Sequence, residues 1–205
     1  EFWGGIFSAH PWLDGPSDTY LGFWQDGGGA TGEHSHAINL WQHFARVIGQ
    51  GRIREVSATV DYVKSEQVDY DQLSLMNFKT EHGLVGRCVQ DVVTSPVRKY
   101  GRVQGKKGYV EFTLSSTQDH FNHFVDGNDS LNLSFSKTRP DDFILELRHI
   151  RECLENKNSS NSPIELRKGL DTMLAILAVH KSAETGKTAI IDYSKGYNHS
   201  AISTK

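Results

Sequence analysis

The residues of this chain best placed to do chemistry stand in one short stretch, GGGATGEHSHAINLW, from Gly27 to Trp41. Glu33, His34 and His36 crowd the start of a helix that the glycines lead into. Free backbone N–H groups and the positive end of a helix dipole favour a bound or developing negative charge at such a place. Three adjacent glycines let another backbone or a ligand come close. Just before them, His10, Trp12, Tyr20 and Trp24 lie in an irregular segment. Apolar platforms beside a few polar groups suit a sugar-like ligand. The plainer alternative is a tight turn with surface histidines.

Two other chemistries compete for the same letters. Gly27, Gly29 and Gly32 fit G-x-G-x-x-G, the loop that holds a dinucleotide pyrophosphate. That loop must follow a buried strand and open a helix inside a βαβ unit. The helix condition is met, but Ser17 to Asp26 mixes aromatic and polar residues and does not read as a buried strand. Downstream come hairpins, not a second βα unit, so no cofactor-binding residue is assigned within this chain. Metal binding could use Glu33, His34, His36 and His43. H-E-x-x-H is absent, however, and no further ligand has a standard spacing, so no metal site is assigned. Nothing resembles G-x-S-x-G.

The elements that must position these residues follow from periodicity. Ile38, Trp41, Phe44, Ala45 and Ile48 mark one face of a helix spanning about 33–48, which Gly49 and Gly51 can end. Ile53 to Val63 is rich in β-branched residues and roughly alternates, as a strand does. Gln72–Lys79 and Gly83–Val93 flank a hairpin connection, and Tyr100–Gln104 with Tyr109–Leu114 make a second hairpin. His120–Val125 and Leu131–Phe135 read as two further strands. Phe143, Ile144, Leu147, Ile150 and Leu154 form the apolar stripe of a helix near 140–154. Ser162-Pro163-Ile164-Glu165 combines an N-cap, a first-turn proline and a third-position glutamate, predicting a helix over 163–185. Thr188–Ile191 is a last strand. The pattern predicts one α+β domain over residues 1–205, an open, mainly antiparallel sheet from Ile53 to Ile191 with helices packed on one face.

Bulk properties exclude several classes. The chain has 205 residues, 37% hydrophobic and 23% charged, with a net charge of −3 and its 22 basic residues scattered. No basic face is declared, so no nucleic-acid partner is expected. No run approaches the ~20 apolar residues of a membrane helix, so no membrane partner is expected either. Cys88 and Cys153 lie far apart and read as reduced thiols of a cytoplasmic protein. Four Asn-x-Ser triplets, at Asn128, Asn132, Asn158 and Asn198, are discounted as chance in an Asn- and Ser-rich chain. The opening Glu1 to Ile6 reads like the interior of a fold, and the expectation is a piece of a longer protein.

The Gly27–Trp41 block resembles the one that opens the C-terminal domain of the glucose-fructose oxidoreductase, inositol dehydrogenase and rhizopine-catabolism family, Gfo/Idh/MocA. There a glycine triplet precedes an acidic residue and a helix bearing a histidine and an Ile-Asp-Leu-like run. Two more blocks agree in order: Glu81 to Gly86 with Pro96 and Val103 to Val110, and Glu165 to Ile191. The resemblance implies an NAD(P)-dependent oxidoreductase acting on an alcohol or ketone carbon of a sugar, sugar nucleotide or polyol. His36 matches the histidine that assists proton transfer, and Glu33 lies near the place of its acidic partner. The family more often has Asp four residues before the histidine, where this chain has Gly32; Asn39 replaces its common Asp. His10, Trp12, Tyr20, Trp24 and His34 would line the sugar pocket. NAD or NADP would be held mainly by an N-terminal dinucleotide-binding domain that this chain lacks, leaving it inactive alone. The open face of the sheet would join a homodimer or homotetramer. A non-catalytic sugar-binding or dimerisation module is the competing class.

Overall fold

The computed structural model describes residues 2–6, 15–156 and 162–205. In chain order the elements are β1 (Phe2–Gly4), α1 (Gly29–Glu33), α2 (His36–Val47), β2 (Ile53–Lys64), β3 (Asp69–Thr80), β4 (Val85–Asp91), β5 (Arg98–Gln104), β6 (Gly108–Thr113), β7 (Gln118–Val125), β8 (Leu131–Ser136), α3 (Asp141–Asn156), α4 (Leu166–Thr185), β9 (Ala189–Ile191) and β10 (Ile202–Thr204). Three short 3-10 turns, Pro16–Asp18, Tyr20–Gly22 and Trp24–Asp26, lead into α1. The chain divides into two compact units, Glu1–Val97 with Leu166–Lys205, and Arg98–Glu165.

The first unit carries the candidate site. Its strands run in the order β10-β9-β2-β3-β4-β1. Among the described residues these strands pair antiparallel with one another except β1, whose Phe2–Gly4 lie parallel to Val89–Asp91 of β4. Alternation fixes which face is covered. Val56, Met76, Phe78, Cys88 and Gln90 are buried beneath the helices. Ser57, Leu75, Asn77 and Arg87, one residue out of step, are exposed on the other face. Helix α4 lies along β2, β9 and β10, α1 over β3 and β4, and α2 against β4 and α4. Ile38, Ile53, Val56, Met76, Leu174, Val179 and Ile191 fill the space between the layers. Trp41 closes the α2 side, its ring edge-on to Phe78 with centroids 5.2 Å apart.

The second unit is an antiparallel meander, β5-β6-β7-β8, with α3 following it. The open, mainly antiparallel α+β architecture is therefore the one the periodicity predicts. Three local expectations differ. The helix over 33–48 is two helices, broken at His34 and Ser35, and it starts earlier, inside the glycine triplet. Helix α4 begins at Leu166 rather than 163. The reason is local: the Ser162 hydroxyl is held at 2.8 Å from His149 Nε2, and the Glu165 N–H closes a turn on the Ser162 carbonyl at 3.2 Å. The apolar stripe of α3 stays exposed, from Ile150 at 38% to Leu154 at 75%, so packing on one sheet face describes α1, α2 and α4.

Candidate active site

The glycine triplet is packed against its own chain. A Cβ on Gly28 would meet the Tyr20 carbonyl oxygen at 2.2 Å, and one on Gly32 the Gly27 carbonyl oxygen at 2.0 Å. At Gly29, φ is +72°, a left-handed value that side chains disfavour, and a Cβ would lie 1.9 Å from Asp71 Oδ1. The close approach that glycine permits is taken up by protein carbonyls and a carboxylate. This loop does not fit a pyrophosphate.

Helix α1 ends at Glu33, and His34 caps it, its N–H reaching the Ala30 carbonyl at 3.1 Å. Ser35 turns the chain, and His36 opens α2. The sequence folds this way because Ala37, Ile38, Trp41, Gln42 and Ala45 share one buried face of α2, which leaves His36 exposed at its start. Glu33 is half-buried, and its Oε2 accepts the Tyr20 hydroxyl at 3.2 Å. Burial, then the charge and hydrogen bond of Glu33, hold the Tyr20 phenol above its ordinary pKa. The His34 Nε2 lies 3.2 Å from the Gly5 carbonyl, so that nitrogen carries the proton it donates. The His36 ring leans on Trp3, centroids 5.9 Å apart at 32°. Trp3 is 8% exposed and stands on β1, placed by the parallel pairing with β4.

The structure thus brings Tyr20 to Glu33, and seats His34 and His36 on the segment around β1. It places Trp24 elsewhere. That indole stacks on His180 of α4, centroids 4.0 Å apart at 19°, with Tyr62 of β2 beside both. His10 and Trp12 lie outside the described residues. Among the described residues, no group of three or more His, Cys, Asp or Glu side chains is gathered as a metal would need. Four residues escaped the sequence reading. Trp3 sits in an opening too short to show a period. Asp71, Gln90 and His180 support the site from beneath, and their partners lie too far along the chain for any local pattern to show.

No helix among the described residues is long and apolar enough to cross a membrane. No family model and no curated protein matches the chain. Solved structures do. An aldose-aldose oxidoreductase from Caulobacter crescentus, crystallised with glycerol, is 19% identical with a TM-score of 0.69, over 93% of this chain and 54% of that one. An NAD binding oxidoreductase from Klebsiella pneumoniae is 14% identical with a TM-score of 0.68, over 91% of this chain and 56% of that one. The super-repressor mutant of Gal80p from Saccharomyces cerevisiae is 11% identical with a TM-score of 0.66, over 96% of this chain and 58% of that one. The chain spans about half the length of each. At these identities the likeness establishes architecture, and by its fold the chain matches the C-terminal domain of NAD-binding oxidoreductases of the Gfo/Idh/MocA type.

Proposed function

We propose that this chain is the substrate-binding and proton-transfer half of an NAD(P)-dependent oxidoreductase. Its substrate class is a sugar, sugar nucleotide or polyol, reacting at an alcohol or ketone carbon. The observation that carries this reading is the exposed His36 at the head of α2, three residues after a Glu33 already engaged by the Tyr20 hydroxyl. In the oxidative direction His36, as neutral imidazole, takes the hydroxyl proton while the same carbon gives up hydride; in reverse it returns the proton. Glu33 contributes negative charge that favours the imidazolium formed. Tyr20 and His34 offer hydrogen-bonding groups and an aromatic edge to a polyhydroxyl ligand. NAD or NADP, held mainly by another domain of a longer protein, supplies the hydride chemistry. The solved structures of similar fold include a sugar oxidoreductase and an NAD-binding one, which supports this class. Neither Cys88 nor Cys153 is in a disulfide among the described residues, which suits a reducing, cytoplasmic setting.

The test is kinetic. In the full-length protein, His36→Ala is expected to lower turnover roughly 10²–10⁴-fold, the range for a lost general acid–base, with cofactor affinity little changed. Near-normal turnover would reduce His36 to a structural residue. A second reading, a non-catalytic sugar-binding or dimerisation module, is favoured by one observation, the likeness to a repressor protein at a TM-score of 0.66. It expects sugar binding with no turnover under any cofactor.

A further inference from the structure

Helix α1 does not stand on its own sequence. It has five residues, Gly-Ala-Thr-Gly-Glu, and so short and glycine-rich a segment is not a stable helix in water. Side chains from neighbouring strands hold it at both ends. At its start the Thr31 N–H, a donor with no partner inside the helix, is taken by Asp71 Oδ2 of β3 at 2.8 Å. The same oxygen accepts the Ser74 hydroxyl at 3.0 Å. At its end the Gln90 amide of β4 donates to the Ala30 carbonyl at 3.3 Å and also to the His34 carbonyl. Ser74 and Gln90 are partners across the β3–β4 ladder, so both holds rise from one place on the sheet. A third comes from α4, where His180 Nε2 lies 3.0 Å from Thr31 Oγ1 and its Nδ1 lies 2.7 Å from the Tyr62 hydroxyl. Both of its partners are hydroxyls, so either tautomer of the neutral ring is satisfied.

These groups are buried: Thr31, Asp71 and Gln90 are 0% exposed and His180 4%. Asp71 Oδ1, aimed at Gly29, has no hydrogen-bond partner among the described residues. An apolar side chain of the same shape would cost less to bury there, so simple packing does not account for a carboxylate. What the carboxylate adds is direction, because it fixes one particular amide of α1 in place. Only His34 and Ser35 separate α1 from α2. Whatever fixes α1 therefore fixes Glu33, its last residue, and the point from which His36 starts.

We propose that Asp71, Gln90 and His180 are positioning residues that clamp α1 from the two strands and α4, and so set where Glu33 and His36 stand. The clamp gains its functional meaning from the site read above, and the test separates the two. Hydrogen exchange is followed by mass spectrometry on the full-length protein, together with steady-state kinetics. Asp71→Leu should speed exchange of the amides in 29–36 on the order of tenfold to a hundredfold, with β6 and β7 unchanged. Asp71→Asn, which keeps an acceptor for the Thr31 N–H, should restore most of the protection. Should Asp71→Leu fail to fold, Thr31→Val serves in its place; it cuts the link to His180, leaves the backbone N–H to Asp71, and should loosen the same segment more mildly. In activity the signature is a fall in kcat with KM nearly kept, again rescued by Asp71→Asn. Unchanged exchange over 29–36, a rise spread evenly over all peptides, or no rescue by asparagine each overturns the clamp. A loosened α1 with unaltered turnover leaves the clamp standing and overturns the chemistry assigned to His36.

Discussion

Asp71 and His180 give the chain a pH dependence that is hidden until one of them is removed. Burial dominates both. It pushes the Asp71 carboxyl up from 3.8 to about 6, against hydrogen bonds from Thr31 and Ser74 that pull it down. It pushes the His180 imidazole down from 6.5 to about 4, against the charge of Asp69. The signs are opposite. Between pH 3.8 and 6 the folded chain keeps a proton on Asp71 that the unfolded chain has released, so stability falls as pH rises through that window. Between pH 4 and 6.5 the unfolded chain holds a proton on His180 that the folded chain refuses, so stability rises with pH. Each shift is worth about 3 kcal/mol at about 1.4 kcal/mol per unit. The windows overlap almost completely, so the two slopes nearly cancel.

The perturbation is therefore a pair of variants measured against the parent. Urea unfolding is followed at several pH values from 4 to 7. Relative to the parent, His180→Gln should lose roughly 3 kcal/mol of stability between the ends of that range, because the Asp71 slope stands alone. Asp71→Asn should gain about as much, because only the His180 slope remains. The double variant should track the parent's slope again. Exposed carboxylates such as Glu184 and Asp192 titrate in every protein of the set and drop out of the differences. Each variant also carries a constant offset from altered packing, which the slope ignores. Difference curves that are flat, or that slope with the signs exchanged, would refute the reasoning.

Gly29→Ala should cost about 2 kcal/mol or more, since φ is +72° there and the new Cβ would lie 1.9 Å from Asp71 Oδ1. A urea midpoint unchanged by the substitution would count against the packing described for the triplet. Asp171→Ala should cost about 2 kcal/mol. The carboxylate, 2% exposed, accepts Arg46 Nη2 at 2.6 Å and the Tyr197 hydroxyl at 3.0 Å, and Arg46 would be left without its ion pair. The open face of the first unit, where Leu75 is 43% and Val85 71% exposed, should pair with a second copy. Sedimentation should show a dimer at micromolar concentration that Leu75→Lys returns to monomer, and a monomeric parent would count against the pairing.

How much of this was legible in the sequence depends on the range of the interaction. The strands from Ile53 to Ser136 were legible because a two-residue period is written locally and each hairpin turn follows directly. Helix α2 was legible from Ile38, Trp41 and Ala45. The short α1 was not, because its glycines argue against helix and its support comes from Asp71, 40 residues beyond Thr31. Strand β1 was not, because three residues show no period and its partner lies at Val89–Asp91. Tyr20 and His34 were read from the sequence as pocket-lining residues; their contacts with Glu33 and with the Gly5 carbonyl, 13 and 29 residues away, were not legible there. The seat of Trp24, stacked on His180 of α4, was not legible. Trp24 is near His36 in sequence, but its flat face finds a partner in His180, and nothing local to either residue announces that.

The glycine loop shows why a spacing alone could not decide between a nucleotide and a proton-transfer site. In a phosphate loop the missing side chains make room for a ligand, and the amides at the helix start point into that room. In this loop the room beside Gly29 holds Asp71 Oδ1, and the Thr31 amide points at Asp71 Oδ2. A buried carboxylate and a bound pyrophosphate are alternative answers to the same open amides, and both being anionic they exclude one another. The letter that discriminates is thus not in the motif at all; it is an aspartate on a strand reached only after α2 and β2 have been built. Once that aspartate occupies the helix start, the groups left facing outward are Glu33, at the end of α1, and His36, beyond it. Under the proposed function, the loop's part is then to present a proton-handling pair and not to hold phosphate.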